Sequence, residues 1–257
     1  MHFSADKMLI GGELVESDSG EWDDSINPAT EEVIGRSPAA TTSDLERAVA
    51  AAEAAWQGWA ALHARDRAAI LRRFGAAMQE RAADLLKVEV TDTGNTITPM
   101  RGDVNATVKT IDHLSGLGHE IKGETIPAST GNLHFSTHEP FGVVGRIVAF
   151  NHPILFAIAR SIPALVAGNA VVLKPSETSP LSALALAEIG RDIFPPGVFN
   201  IVTGKGKAVG DAIVRHPRIK RLAFIGSVPT AMAIQRSAAE VTVKRVSLEL
   251  GGKNPMI

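Results

Sequence analysis

Apolar positions change their period twice along the chain. Short apolar runs broken by turn chemistry come first, at residues 8–15, at Asn27-Pro28-Ala29-Thr30 and at 32–34, and they predict antiparallel strands joined by tight turns. The spacing then becomes helical. Ser43 followed by Glu46 has the form of a capping box, and Leu45, Val49, Ala52 and Trp56 recur on one face, which predicts a helix over 43–59. A second long helix is expected to bury Ile70, Leu71, Phe74, Met78 and Leu85 and to stop at Gly94-Asn95.

From residue 141 the pattern alternates strand and helix. Residues 143–150 form an apolar run of the kind a strand shows when both faces are covered. Pro153 opens a helix that ends at Gly168-Asn169, and strand 170–174, helix 180–192, strand 198–202, helix 207–215, strand 222–225, helix 230–240 and strand 245–250 follow. Each parallel pairing needs a crossover, so this succession predicts an α/β fold with a doubly wound parallel sheet, Rossmann-like, preceded by amino-terminal helices. Between the two regions, residues 120–139 are polar, rich in Thr, Ser and Gly, and weakly alternating. They predict a protruding antiparallel hairpin, read either as plain surface or as an arm that pairs with a neighbouring subunit.

Composition narrows the functional classes. A chain of 257 residues with 45% hydrophobic and 21% charged residues can bury a large core. Its formal net charge of −2, with Lys and Arg scattered, offers no footprint for nucleic acid or an anionic membrane, so small-molecule partners are expected. Residues 1–6 lack a secretory pattern, no apolar run is long enough to span a bilayer, and a cytoplasmic address is the default expectation. The absence of cysteine removes disulfides, thiolate metal ligands and thiol nucleophiles, and no metal site is expected.

Doubly wound sheets bind ligands at the carboxyl ends of their strands, and the polar residues expected there are few. Asn151, between a strand and the helix opened by Pro153, either caps that helix or faces the cleft as a donor. Lys174 and Glu177 offer a donor and an acceptor suited to two ribose hydroxyls, or are solvated surface charges. Gly204, Gly206 and Gly210 approach a dinucleotide fingerprint, but the third glycine comes one residue late, and a tight turn explains them as well. Gly226-Ser227 either receives phosphate oxygens at a helix start or simply caps the helix. Glu249, flanked by Leu248 and Leu250, is either a partly desolvated general base or a member of a structural ion pair.

From about Phe3 onward these segments together resemble the NAD(P)-dependent aldehyde dehydrogenases. Leu248-Glu249-Leu250-Gly251-Gly252-Lys253-Asn254-Pro255 is similar to the family's active-site glutamate motif. Pro140-Phe141-Gly142-Val143-Val144-Gly145 through Asn151-His152-Pro153 resembles its first cofactor-binding strand and turn. Lys174-Pro175-Ser176-Glu177 and Phe224-Ile225-Gly226-Ser227 match two further motifs in order, while Phe150 stands where many members have tryptophan.

The resemblance implies a chemistry in which a cysteine attacks an aldehyde, a hydride passes to a nicotinamide, and water cleaves the thioester to a carboxylate. Asn151 would donate to the oxyanion and Glu249 would activate the water. Lys174 and Glu177 would hold the adenosine ribose, Ser176 would lie against the adenosine and Gly226-Ser227 would meet the pyrophosphate. Ile147, Val148, Ala149, Phe150, Gly206, Gly210, Phe224, Thr230 and Leu250 would line the rest of the groove. The cofactor expected is NAD, because a carboxylate at Glu177 repels a 2'-phosphate, with NADP left open.

The expected organisation assigns 1–119 to amino-terminal strands and helices of the cofactor domain, 120–139 to a hairpin arm serving homo-oligomerisation, and 140–257 to the cofactor-binding sheet. The family's nucleophilic cysteine and catalytic domain are expected beyond residue 257, so the chain by itself is expected to be inactive. A non-catalytic nucleotide-binding or subunit-interaction module is the other reading at this length.

Overall fold

In the computed structural model, which describes residues 3–253 and Pro255, a seven-stranded sheet organises the molecule. The chain opens with β1 (Met8–Ile10) and β2 (Glu13–Val15), then β3 (Trp22–Ile26) and β4 (Val33–Pro38). The helices α1 (Thr42–Ala61), α2 (Ala64–Glu80), α3 (Ala82–Thr93) and α4 (Ile97–Gly116) follow, and a short hairpin, β5 (Thr125–Ile126) and β6 (His134–Phe135), leads into the alternating region. That region runs β7 (Val143–Ile147), α5 (Ile162–Val166), β8 (Ala170–Lys174), α6 (Leu181–Arg191), β9 (Phe199–Ile201), α7 (Asp211–Arg215), β10 (Ile219–Gly226), α8 (Val228–Ala239) and β11 (Arg245–Leu250).

The strand order is β11-β10-β7-β8-β9-β1-β2. Strands β7 to β11 are mutually parallel, as the alternation of strands and helices requires. The doubly wound expectation therefore holds. The early strands divide differently from the expected meander: β1 and β2 extend the main sheet antiparallel to β9, whereas β3 and β4 pair apart from it. β3 escaped the sequence reading because its core, Asp23-Asp24-Ser25, carries little apolar signal.

Two cores cover the two sheet faces. One holds Leu45, Val49 and Ala52 of α1 with Ile213, Ile234 and the outer faces of β7, β8 and β10. The other joins α2, α3, α4 and α6, centred on Phe74, whose ring lies 5.0 Å from Phe194 and 6.4 Å from Phe199.

Local differences have local causes. The cap of α1 is Thr41, not Ser43: its hydroxyl accepts from the Asp44 N–H at 3.2 Å, and Asp44 accepts the Thr41 N–H at 2.7 Å. The expected second helix is two, α2 and α3, broken at Arg81, whose guanidinium lies 3.5 Å from the centre of the Phe3 ring. No breaker residue marks that site, so tertiary contact makes the break. α3 does end at Gly94, which has φ +71° and cannot take a Cβ because Pro28 fills the space. α4 was not anticipated, although Met100, Val104 and Ile111 are buried at helical spacing; polar Thr107 and Ser115 complete its inner face and dilute the pattern.

The hairpin over 120–139 is present and exposed, with two-residue strands and Leu133 and Phe135 open to solvent. Among the described residues no helix is long and apolar enough to cross a membrane.

Candidate functional site

The direction of winding reverses at β7. β8 pairs on one side of it and β10 on the other, so a crevice opens at the carboxyl ends of these strands. Register brings Ile147 level with both Lys174 and Phe224, and Gly226 level with Leu250. β7 stops at Ile147 rather than at residue 150, because the chain then turns out of the sheet: the Val148 N–H still bonds the Lys174 carbonyl at 3.1 Å, Ala149 is half-buried, and Phe150 projects with 62% of its surface exposed.

Lys174 is 2% exposed, so it is no solvated surface charge. Its ammonium bonds the Pro175 carbonyl at 3.0 Å and stands 3.7 Å from the Glu177 carboxylate. Burial pushes it below the ordinary lysine range, and the Glu177 charge opposes that shift. The same Glu177 oxygen accepts the Gly206 N–H at 2.7 Å, which ties the end of β8 to the loop after β9. In that loop Gly204 has φ +122°, reached cheaply by glycine alone, and Gly206–Gly210 forms one wide π-helical turn before α7. Gly210 packs beside the Lys174 stem, where an added Cβ would lie 3.9 Å from its carbons. Ser176 pairs its hydroxyl with that of Thr178 at 2.9 Å.

Asn151 is exposed and, among the described residues, its side-chain amide makes no hydrogen bond, so it does not cap the following helix. That helix is itself irregular, a π-helical turn at Leu155–Ala159 followed by short α5. At the start of α8, Ser227 does act as the cap, accepting the Thr230 N–H at 3.4 Å, with the two hydroxyls 2.9 Å apart. Gly226 must be glycine, since a Cβ there would fall 2.4 Å from the ring of buried Phe224. Glu249 is exposed on β11 and forms no ion pair among the described residues, so the partial desolvation expected for it is not provided here. Leu250 is half-buried, and Asn254 of the same motif lies outside the described residues.

The structure thus brings Ile147 level with Lys174 and Phe224, ties Glu177 to Gly206 and sets Gly210 beside the Lys174 stem, while β10 lies between β7, which Asn151 follows, and β11, which carries Glu249. A buried ammonium beside a carboxylate at the end of β8 offers a donor and an acceptor that fit ribose hydroxyls, and the start of α8 at Gly226-Ser227 offers a helix amino terminus that fits a phosphate. Sequence reading missed a polar cluster behind the crevice: Glu89 and Asp92 of α3, Asn95, Asp103 of α4 and Ser179. The signal available was Glu89, a carboxylate between Val88 and Val90 on the buried face of a helix.

The model of the aldehyde dehydrogenase family matches residues 14–257. The chain belongs to that family. Its fold is shared by solved aldehyde dehydrogenases over nearly all its length. The NAD+ complex of the enzyme from Bacillus cereus is 37% identical, with a TM-score of 0.94 over 99% of this chain and 52% of that one. HpcC from Thermus thermophilus is 37% identical, with a TM-score of 0.94 over 97% of this chain and 48% of that one. An NADP dependent enzyme from E. coli is 35% identical, with a TM-score of 0.93 over 96% of this chain and 51% of that one. The chain therefore spans about half the length of each of these proteins.

Proposed function

We propose that this chain is the cofactor-binding half of an enzyme that oxidises an aldehyde to a carboxylate, with NAD as its cofactor. The observation that carries the reading is the buried Lys174 ammonium held 3.7 Å from the Glu177 carboxylate at the crevice of the reversed sheet. When bound, NAD supplies a hydride acceptor. The chain's own residues bind and orient: Lys174 donates to a ribose hydroxyl and Glu177 accepts from one, Ser176 lies against the adenosine, and Gly226 with Ser227 meets the pyrophosphate at the start of α8. Ile147, Val148, Ala149, Phe150, Gly206, Gly210, Phe224, Thr230 and Leu250 line the groove.

Asn151 donates to the oxygen that gains charge, and Glu249 takes a proton from water once a catalytic domain encloses it. With no thiol in its sequence, the chain alone does not oxidise aldehydes. The open apolar side chains of the hairpin, Leu133 and Phe135, support its use in pairing with a second subunit.

Calorimetric titration of the 257-residue chain with NAD and with NADP tests the cofactor assignment. NAD binds more tightly, and Glu177→Gln, which keeps an acceptor for the Gly206 N–H, narrows the difference about tenfold by removing the charge that repels a 2'-phosphate, equivalent to about 1.4 kcal/mol. An unchanged ratio removes Glu177 from the ribose site, and no heat with either dinucleotide overturns the reading.

A further inference from the structure

The turn that carries Asn151 is held from outside the sheet at four successive points. The Phe150 carbonyl accepts the Ser179 hydroxyl at 3.1 Å. The Asn151 carbonyl accepts the Asn95 side-chain amide at 2.9 Å, and the His152 Nδ1 meets the Asp103 carboxylate at 2.5 Å. The Ile154 N–H donates to Glu89 Oε1 at 3.1 Å, while the other Glu89 oxygen accepts the Ser182 hydroxyl of α6. Glu89 has no exposed surface, so one carboxyl spans two elements from inside the protein. Phe150, His152, Ile154 and the Asn151 carbonyl are tied down, and among the described residues the Asn151 side-chain amide has no partner and is open.

We propose that Glu89, Asn95 and Asp103 are positioning residues that hold the Asn151 turn from behind, so that its amide points into the crevice without first having to be ordered. The proposal rests on the reading of Asn151 as the donor to the reacting oxygen. A donor aimed in advance stabilises developing charge without reorganisation at the moment of reaction, and it stays aimed only if its own backbone cannot swing. Hydrogen bonds to the main chain on both sides of Asn151 supply that restraint.

The Glu89 contact also depends on protonation. Burial pushes this carboxyl up to about 7; the Ser182 and Ile154 hydrogen bonds oppose that shift and the charges of Asp103 and Asp92 add to it. The charged groups facing it are Asp92 on its own helix, Asp103 on α4 and, when protonated, His152 on the turn, while α6 contributes neutral Ser182. An ionised carboxylate accepts the Ile154 N–H more strongly than a protonated one, so the turn is gripped more firmly above neutrality.

Backbone amide spectra of the isotope-labelled 257-residue chain test this. The Ile154 amide resonance titrates near pH 7 in the unaltered chain and loses that transition in Glu89→Gln, which removes the charge but keeps an acceptor. Retention of the transition in Glu89→Gln assigns it to another group and overturns the Glu89 grip. Glu89→Leu speeds Ile154 hydrogen exchange about tenfold or more relative to the amides of β9, and Glu89→Gln restores slow exchange. Should Glu89→Leu not fold, Asn95→Ala carries the same test at the His152 amide, which shares a peptide unit with the Asn151 carbonyl: its exchange quickens, and an unmoved amide overturns the clamp. A parallel NAD titration separates the two failures, because loss of cofactor binding with a normal Ile154 titration sinks the proposed function alone, whereas binding with an indifferent Ile154 amide sinks the clamp alone.

Discussion

The carboxyl end of β8 and the edge strand β11 carry residues of the same candidate site under opposite conditions. At β8 every residue is buried, the Lys174 charge is sunk in the sheet, and its partner Glu177 is itself fixed by the Gly206 N–H. Among the described residues β11 pairs on one side only, its residues are half-buried or exposed, and Glu249 projects with no partner. The end of β8 is fixed by contacts within the chain, whereas the edge at β11 is open.

That contrast breaks most visibly in stability. Leu173→Ala, in the fully buried centre of β8, is expected to cost about 2–5 kcal/mol, and Leu250→Ala in β11 less than about 1 kcal/mol, because only the first leaves a sealed cavity. Urea midpoints of the two variants measure the gap, and equal losses would mean that the edge is as well packed as the centre.

A smaller effect comes from the acids behind the Asn151 turn. Burial raises Glu89 from an ordinary 4.5 to about 7 and Asp92 from 3.8 to about 6. Groups raised on folding bind protons more tightly in the folded state, so their contribution is complete below about pH 4 and disappears as pH climbs through 6 and 7. Each is worth on the order of 3 kcal/mol. Unfolding free energy measured from pH 4.5 to 8 should fall less steeply in Glu89→Gln than in the unaltered chain, and parallel curves would discharge Glu89 from this role.

The smallest effect sharpens the exposed side. Ser227→Ala removes the cap of α8 and should cost about 1 kcal/mol in the same assay, with a weaker NAD titration if the hydroxyl also faces phosphate. A stability loss with unchanged affinity would make Ser227 a cap only.

The parts legible in the sequence are those whose signal is local. β8 and β11 were bounded to the residue, since apolar runs between turn residues depend on little else. Helix termini at Gly94 and at Ser227 could be read because Gly at positive φ and Ser at a cap act through their own backbone. The Arg81 break was not legible because its contact, the Phe3 ring, is distant in sequence, and the end of β7 at Ile147 and the π-helical turns at Leu155–Ala159 and Gly206–Gly210 leave no mark in apolar spacing. The same division runs through the site. Lys174 and Glu177 are three residues apart and announced each other, but Glu89 reaches Ile154 across 65 residues and Ser182 across 93, and only the fold brings them together.

The amino-terminal strand β1 has a further consequence, in time rather than in space. Leu9 pairs with Ile201, and the Gly11 N–H bonds the side chain of Asn200, a partner 189 residues further along the chain. A ribosome adding about 5–20 residues per second makes that partner only on the order of 10–40 s after β1 has been synthesised. Throughout that interval the apolar Met8-Leu9-Ile10 segment has β2 as a partner on one edge, while its other edge stays unpaired until β9 is made. The first strand to be written therefore keeps one apolar edge open from the beginning of synthesis almost to residue 201.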